Sequence, residues 1–172
     1  MRTAAQISVE EYLRTTYHPD RDYMDGEVIE RNLGEHDHSD LQSELVTYFR
    51  VRRRKLKTYA YVEQRVQVAN TRFRIPDVCV YVGEKPREKI FRTPPFICIE
   101  VLSPEDRVAR TQTRIDDYLK FGVAYVWIFN PENRRVWVHT AEGSREIKDG
   151  ILTTENPSLT VDLAEIFSEL DG

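Results

Sequence analysis

Two carboxylates mark the ends of two short apolar runs. Asp77 opens Asp77-Val78-Cys79-Val80-Tyr81-Val82, and Glu100 lies near the end of Phe96-Ile97-Cys98-Ile99-Glu100-Val101-Leu102. Both runs are rich in β-branched residues and bounded by Pro, Gly or Ser-Pro, which predicts two strands. Neither alternates with polar residues, as expected at the centre of an α/β sheet covered on both faces. Joined as an antiparallel hairpin through Glu84 to Arg92, they have one suggested register: Asp77 opposite Glu100, Cys79 opposite Cys98 and Tyr81 opposite Phe96. Side chains recur on one face every second residue, so these six share a face and Val78, Val80, Val82, Ile97, Ile99 and Val101 share the other. Opposed Cβ atoms lie roughly 4.5 to 5.5 Å apart. Two ionised carboxylates at that spacing repel, so one titrates high unless a cation lies between them. A divalent metal satisfies the pair, with the Val101 carbonyl as a third oxygen ligand. The alternative is an arginine paired with one acid while the other caps a strand end.

The surrounding elements must position these acids and supply positive charge. Ser8-Val9-Glu10-Glu11 is a capping box opening a short helix to about Arg14. Asp25-Gly26 separates Asp22-Tyr23-Met24 from Glu27-Val28-Ile29-Glu30, a two-residue hairpin signal that puts Asp22 on a strand. From about His38 a helical period runs through Leu41, Leu45, Tyr48 and Phe49. It ends in a basic cluster that includes Arg53 and Arg54, either a solvated helix terminus or a phosphate-contacting patch. Tyr59 to Ala69 reads as one strand carrying Glu63, and Arg72 and Arg74 precede Asp77. Ser103-Pro104-Glu105-Asp106 predicts a helix start, with Gly122 as the stop. Arg107, Arg110 and Arg114 recur on one side of that helix, a turn or so from Glu100, where they can meet a phosphate or simply face water. Tyr125 to Phe129 and Arg135 to Thr140 are further strands; Asp149-Gly150 marks a last hairpin and Leu163 to Leu170 a terminal helix.

Composition bounds the answer. At 172 residues, 40% hydrophobic and 31% charged, the chain fits one globular domain, 1–172, rather than a disordered segment. No apolar run approaches the ~18 residues of a membrane span, and the N-terminus carries no secretory core, so a cytoplasmic protein without membrane attachment is expected. The two cysteines, Cys79 and Cys98, are then reduced, and no Cys/His spacing suits structural zinc. A net charge of −4 argues against a nonspecific nucleic-acid coat but leaves room for a local basic groove.

The element order resembles the core of PD-(D/E)XK nucleases, a mixed α/β sheet flanked by helices. The phrases Arg74-Ile75-Pro76-Asp77-Val78, Ile99-Glu100-Val101-Leu102-Ser103-Pro104 and Tyr118-Leu119-Lys120-Phe121-Gly122-Val123-Ala124-Tyr125-Val126-Trp127 resemble the bacterial restriction-endonuclease family called Uma-two, from about Ser8 to Leu170. The resemblance implies that Asp77 and Glu100 bind Mg²⁺ or Mn²⁺. The lysine expected two residues after the acid is replaced by Leu102. The family usually carries a lysine instead four residues before the helix tyrosine, where this chain has Arg114, with Lys120 as a fallback. A guanidinium keeps the charge but cannot pass a proton. Two upstream family positions, an acid before the Asp-Gly turn and a histidine opening the long helix, fall on Asp22 and His38, with His36 close by.

The function these residues imply is metal-assisted hydrolysis of a phosphodiester in nucleic acid, with DNA the expected substrate and Arg74, Arg107, Arg110, Arg53 and Arg54 as backbone contacts. A homodimer is expected because duplex cleavage needs two cuts. The competing readings are a nuclease-like module that binds nucleic acid or protein without cutting, and an acid-pair hydrolase of sugars, for which adjacent in-sheet acids fit poorly.

Overall fold

The computed structural model describes residues 5–32 and 34–171. Helix α1 (Val9–Arg14) is capped as its sequence predicts, Ser8 Oγ accepting from the Glu11 amide at 3.1 Å. Strands β1 (Asp22–Met24) and β2 (Glu27–Ile29) turn at Asp25-Gly26, both at positive φ. Helix α2 (His36–Val51) buries Leu41, Leu45, Tyr48 and Phe49, and a short α3 (Arg53–Leu56) follows.

The predicted strand from Tyr59 to Ala69 is two strands in two sheets, β3 (Thr58–Val62) and β4 (Val66–Ala69). The chain breaks at Glu63, which adopts a left-handed φ of 46°. Strand β5 (Arg72–Arg74) pairs with β4 and β1, so β2-β1-β5-β4 form a small antiparallel sheet. At Ile75–Asp77 the chain crosses into the main sheet as β6 (Val78–Val82) and returns as β7 (Ile97–Val101). Register follows the sequence: Cys79 faces Cys98 and Val78 faces Ile99.

The helix after β7 starts later than its sequence suggests. Asp106 turns back and accepts from the Ser103 amide at 2.6 Å, so Ser103–Asp106 is a turn and α4 spans Val108–Phe121. It ends on Gly122 at a φ of 113°. Strand β8 (Tyr125–Asn130) then lies parallel to β7, and β9 (Arg135–Thr140) and β10 (Gly143–Glu146) extend the sheet antiparallel, in the order β10-β9-β8-β7-β6-β3. Gly150 precedes a separate hairpin, β11 (Ile151–Thr154) and β12 (Leu159–Asp162), rather than forming its turn. Helix α5 (Leu163–Phe167) gives way to a 3-10 turn, Ser168–Asp171.

The two faces of β6 and β7 divide as alternation requires. Val78, Val80, Ile97 and Ile99 pack with Leu41, Leu45 and Phe49 of α2, and Cys79 and Cys98 pack with Ile115 and Tyr118 of α4. Both thiols are free and buried, and burial pushes their pKa values up, so they behave as small core residues. Tyr12, Tyr23 and Phe73 form a separate aromatic core beneath the small sheet. No described helix is long and apolar enough to cross a membrane.

Candidate active site

The site lies where the chain passes between the two sheets. The small sheet's last strand ends at Arg74, Ile75-Pro76 carry the chain across, and Asp77 stands one residue before β6, in the register that continues to Glu100 on β7. The Glu63 amide donates to the Asp77 carbonyl at 3.2 Å and Gln42 Nε2 donates to it at 2.9 Å, fixing the bend that presents the carboxylate. Asp77 Oδ2 accepts from the Val101 amide at 2.7 Å. The Val101 main chain therefore touches the acid pair through its N–H.

Glu100 accepts from Tyr118 Oη at 2.6 Å and from Arg114 Nη1 at 3.2 Å. Both donors come from α4, four residues apart on one face, as helix geometry demands. Arg114 Nε also lies 3.6 Å from Asp22 Oδ2, so one guanidinium links the upstream acid to Glu100. His38, in the first turns of α2, places Nε2 3.4 Å from Asp77 Oδ2. His36 lies outside this group, highly exposed and beside Asp37 and Asp40.

Asp77 and Glu100 are only 5% and 3% exposed, and two carboxylates so confined cannot ionise independently. Burial and the neighbouring Asp77 raise the Glu100 pKa to about 8 against the pull of Arg114 and Tyr118. Burial also opposes ionisation of Asp77, but His38, the Val101 amide and Arg31 outweigh it and hold its pKa below the usual carboxylate value. Burial alone would lower the His38 pKa; Asp77 and Glu100 more than reverse it, so the net shift is upward.

The sequence-predicted residues divide into three groups. Asp77, Glu100, Val101, Arg114, Asp22 and His38 are brought together. Arg74 is 3% exposed and locked into Asp117 and Asp22, with Nε to Asp117 Oδ2 at 2.7 Å and Nη1 to Asp22 Oδ2 at 3.1 Å. A nucleic-acid backbone cannot reach it there, and its work is to hold Asp22. Arg107 and Arg110 are exposed beside the start of α4, and Arg53 and Arg54 are exposed beyond the end of α2. Lys120 is exposed near the far end of α4.

Sequence reasoning missed Arg31, whose Nη2 lies 3.3 Å from Asp77 Oδ1. It sits in the loop between β2 and α2, where neither period nor motif marks a residue. Gln42 and Tyr118 were legible in principle, each four residues after a site residue on the same helix.

Residues 9–169 match the Uma2 family, described as "Putative restriction endonuclease". The chain belongs to the Uma2 family. A solved structure from Anabaena variabilis ATCC 29413, titled a "putative nuclease belonging to DUF820", superposes with a TM-score of 0.82 at 25% identity, covering 95% of this chain and 99% of that one. No match is found among curated proteins. The fold is thus the restriction-endonuclease-like mixed sheet flanked by helices, and the Uma2 assignment supports an enzyme that hydrolyses nucleic acid.

Nucleases of this kind generally depend on a metal. Among the described residues, no group of three or more His, Cys, Asp or Glu side chains is gathered closely enough to hold one. Asp77 and Glu100 nevertheless offer the hard oxygen donors that Mg²⁺ and Mn²⁺ take, and Mg²⁺ is commonly held by one or two carboxylates with water and substrate oxygens completing its shell. Burial, more than Asp77, sets the raised Glu100 pKa, so the carboxyl is held toward its neutral form until a cation favours its charge. The donor set therefore fits a hard dication.

Proposed function

We propose that this Uma2 protein is an endonuclease, dependent on Mg²⁺ or Mn²⁺, that hydrolyses phosphodiester bonds of DNA. The observation that carries the reading is the meeting of Asp77, just before β6, with Glu100 on β7, Arg114 lying 3.2 Å from Glu100, in a chain of a nuclease family. Asp77, Glu100 and the Val101 carbonyl would hold the cation. When bound, it supplies Lewis-acid chemistry, activating water for attack and offsetting charge on the phosphorus oxygens.

The chain's own groups have separate tasks. The Val101 amide and Gln42 orient Asp77, and Tyr118 orients Glu100. Arg114 cannot give up its proton, so it serves as a fixed charge against the anionic transition state, with Asp22 setting its direction. His38, beside Asp77, is an imidazole able to carry a proton near neutral pH and to donate it to the leaving oxygen. Arg107, Arg110, Arg53 and Arg54 would contact the backbone outside the site. A homodimer working in the cytoplasm completes the proposal.

One observation favours a second reading, in which the fold binds nucleic acid or a protein without cutting. Arg114 stands where the family resemblance implies a lysine, and arginine cannot exchange protons. Plasmid nicking with Mg²⁺, Mn²⁺ or chelator, run beside Asp77→Asn, separates the two. Metal-dependent nicking that disappears in the variant supports the enzyme; binding without nicking selects the module.

A further inference from the structure

Arg31 holds the oxygen of Asp77 that no main-chain group secures. Asp77 Oδ2 is taken by the Val101 amide and faces His38, whereas Oδ1 faces Arg31 Nη2 at 3.3 Å. The Arg31 side chain is 9% exposed, and its Nη1 lies 3.9 Å from Glu63 Oε2. Charge-assisted N–H···O bonds settle near 2.7–2.9 Å. Arg31 is therefore enclosed with its carboxylate but not tightly bonded to it.

The loop that carries Arg31 is tied down by the next residue. Asn32 Nδ2 donates to Asp106 Oδ1 at 3.0 Å, and Asp106 Oδ2 is fixed by the Ser103 amide. This bridge joins the β2–α2 loop to the β7–α4 turn. Asp106 also borders two clefts: one of about 480 Å³ reaching His38, the other of about 310 Å³ reaching Arg110 and Arg114. Gly34 lies close to His38, for a Cβ built on it would lie 2.8 Å from His38 Nδ1. A phosphodiester cannot meet carboxylates that are 5% and 3% exposed until something covering them moves. An exposed Asn–Asp hydrogen bond is a weak tie to break.

We infer that Arg31 is a substrate-phosphate-binding residue that changes partners: it neutralises Asp77 while the Asn32–Asp106 bridge is closed, and moves to the phosphodiester when that bridge opens and a divalent cation takes Asp77. This rests on the proposed nuclease reading. A guanidinium beside a carboxylate that accepts a dication is repelled by the new charge, and an anionic phosphate is the partner its planar fork fits. Arginine is suited to the exchange because it remains charged throughout.

The test uses the full chain, with Mn²⁺ binding followed by calorimetry and plasmid cleavage followed by kcat and KM. Arg31→Ala removes the competitor for Asp77, so Mn²⁺ should bind tighter by about threefold, the scale of a loose ion pair. The same change should raise KM for DNA about tenfold, the scale of one charged hydrogen bond. Arg31→Lys should recover part of the KM loss. Opposite signs for cation and DNA distinguish partner exchange from a structural role, which would weaken both together and would overturn the inference. Asn32→Ala, at an exposed position, provides a second route: tighter Mn²⁺ binding supports the bridge, and unchanged affinity overturns it. Wild-type protein that neither binds Mn²⁺ nor cuts DNA rejects the nuclease reading itself. Active wild type with an unaltered Arg31→Ala variant rejects only the role of Arg31.

Discussion

Two arginine–carboxylate groups lie side by side in this fold and behave differently. In the clamp between the small sheet and α4, Arg72 and Arg74 grip Asp117 at 2.6 and 2.7 Å, Arg72 also reaches Asp25 at 2.9 Å, and Arg74 reaches Asp22 at 3.1 Å. In the acid pair beside β6 and β7, neutral donors sit close, Tyr118 to Glu100 at 2.6 Å and the Val101 amide to Asp77 at 2.7 Å, but the cationic contacts are longer: Arg114 to Glu100 at 3.2 Å, Arg31 to Asp77 at 3.3 Å and His38 to Asp77 at 3.4 Å. The clamp matches guanidinium to carboxylate and leaves no acid opposed to another. The pair sets acid against acid and meets them with charges that can move away. Short bonds build a support, and the longer ones leave oxygen lone pairs for a ligand. Asp22 connects the groups, held by Arg74 and facing Arg114 at 3.6 Å.

The largest expected effect tests the clamp. Arg74→Ala strips the buried Asp22 of its nearest guanidinium and Asp117 of one of its two, and breaking a buried pair from one side costs about 3–5 kcal/mol. Denaturant unfolding should show that loss, and Arg74→Lys should recover little of it because an ammonium cannot span both acids. A variant of normal stability but without cleavage would move Arg74 from support to chemistry and undo the contrast.

The next effect tests the pair. Glu100→Gln keeps the shape and a partner for Tyr118 but removes the charge available to a cation, so cleavage should fall at least ~100-fold, as for a lost electrostatic catalytic group. Its melting temperature should hold or rise. His38→Gln should lower the rate by about 100-fold, the lower end of general acid–base contributions. If His38 donates a proton, the wild-type rate should decline as pH rises and the imidazolium is lost, and the variant should lack that limb. A pH–rate profile unchanged by His38→Gln would assign the histidine to holding Asp77.

The acid pair was more legible in the sequence than the clamp. Strand period alone put Asp77 and Glu100 on one face, because a period of two leaves no other choice once Cys79 faces Cys98. Helical spacing gave a basic face near Glu100, and the family resemblance singled out Arg114 on it. Arg74 ends β5, four residues before β6 begins, in a phrase that looked like a phosphate contact, yet its role depends on β5 joining a second sheet, which the weak alternation read as one strand from Tyr59 to Ala69 concealed. The left-handed turn at Glu63 makes that split, and glutamate gives no warning of it. The later start of α4 has a similar origin: Ser-Pro-Glu-Asp satisfies a helix cap, but Asp106 spends its carboxylate on Ser103 and so forms a turn instead.

The smallest effect concerns pH and carries the electrostatic half of the contrast. Burial and Asp77 hold Glu100 at about 8, above its ordinary value of 4.5, so the folded protein retains a proton that the unfolded chain has released. Stability from this group is fully present below the ordinary value, declines as pH rises and is lost as pH passes about 8. Asp77 has the opposite sign: its lowered pKa contributes stability above the ordinary value of 3.8, lost as pH falls through the folded value. In chelator, wild-type stability between about pH 5 and about pH 8 should therefore fall more than that of Glu100→Gln, whose amide has no proton to surrender. Parallel denaturant curves for the two proteins across that range would mean that Glu100 is ionised in the fold. The acid pair would then be as well compensated as the clamp, and its longer contacts would no longer mark a place kept for a cation.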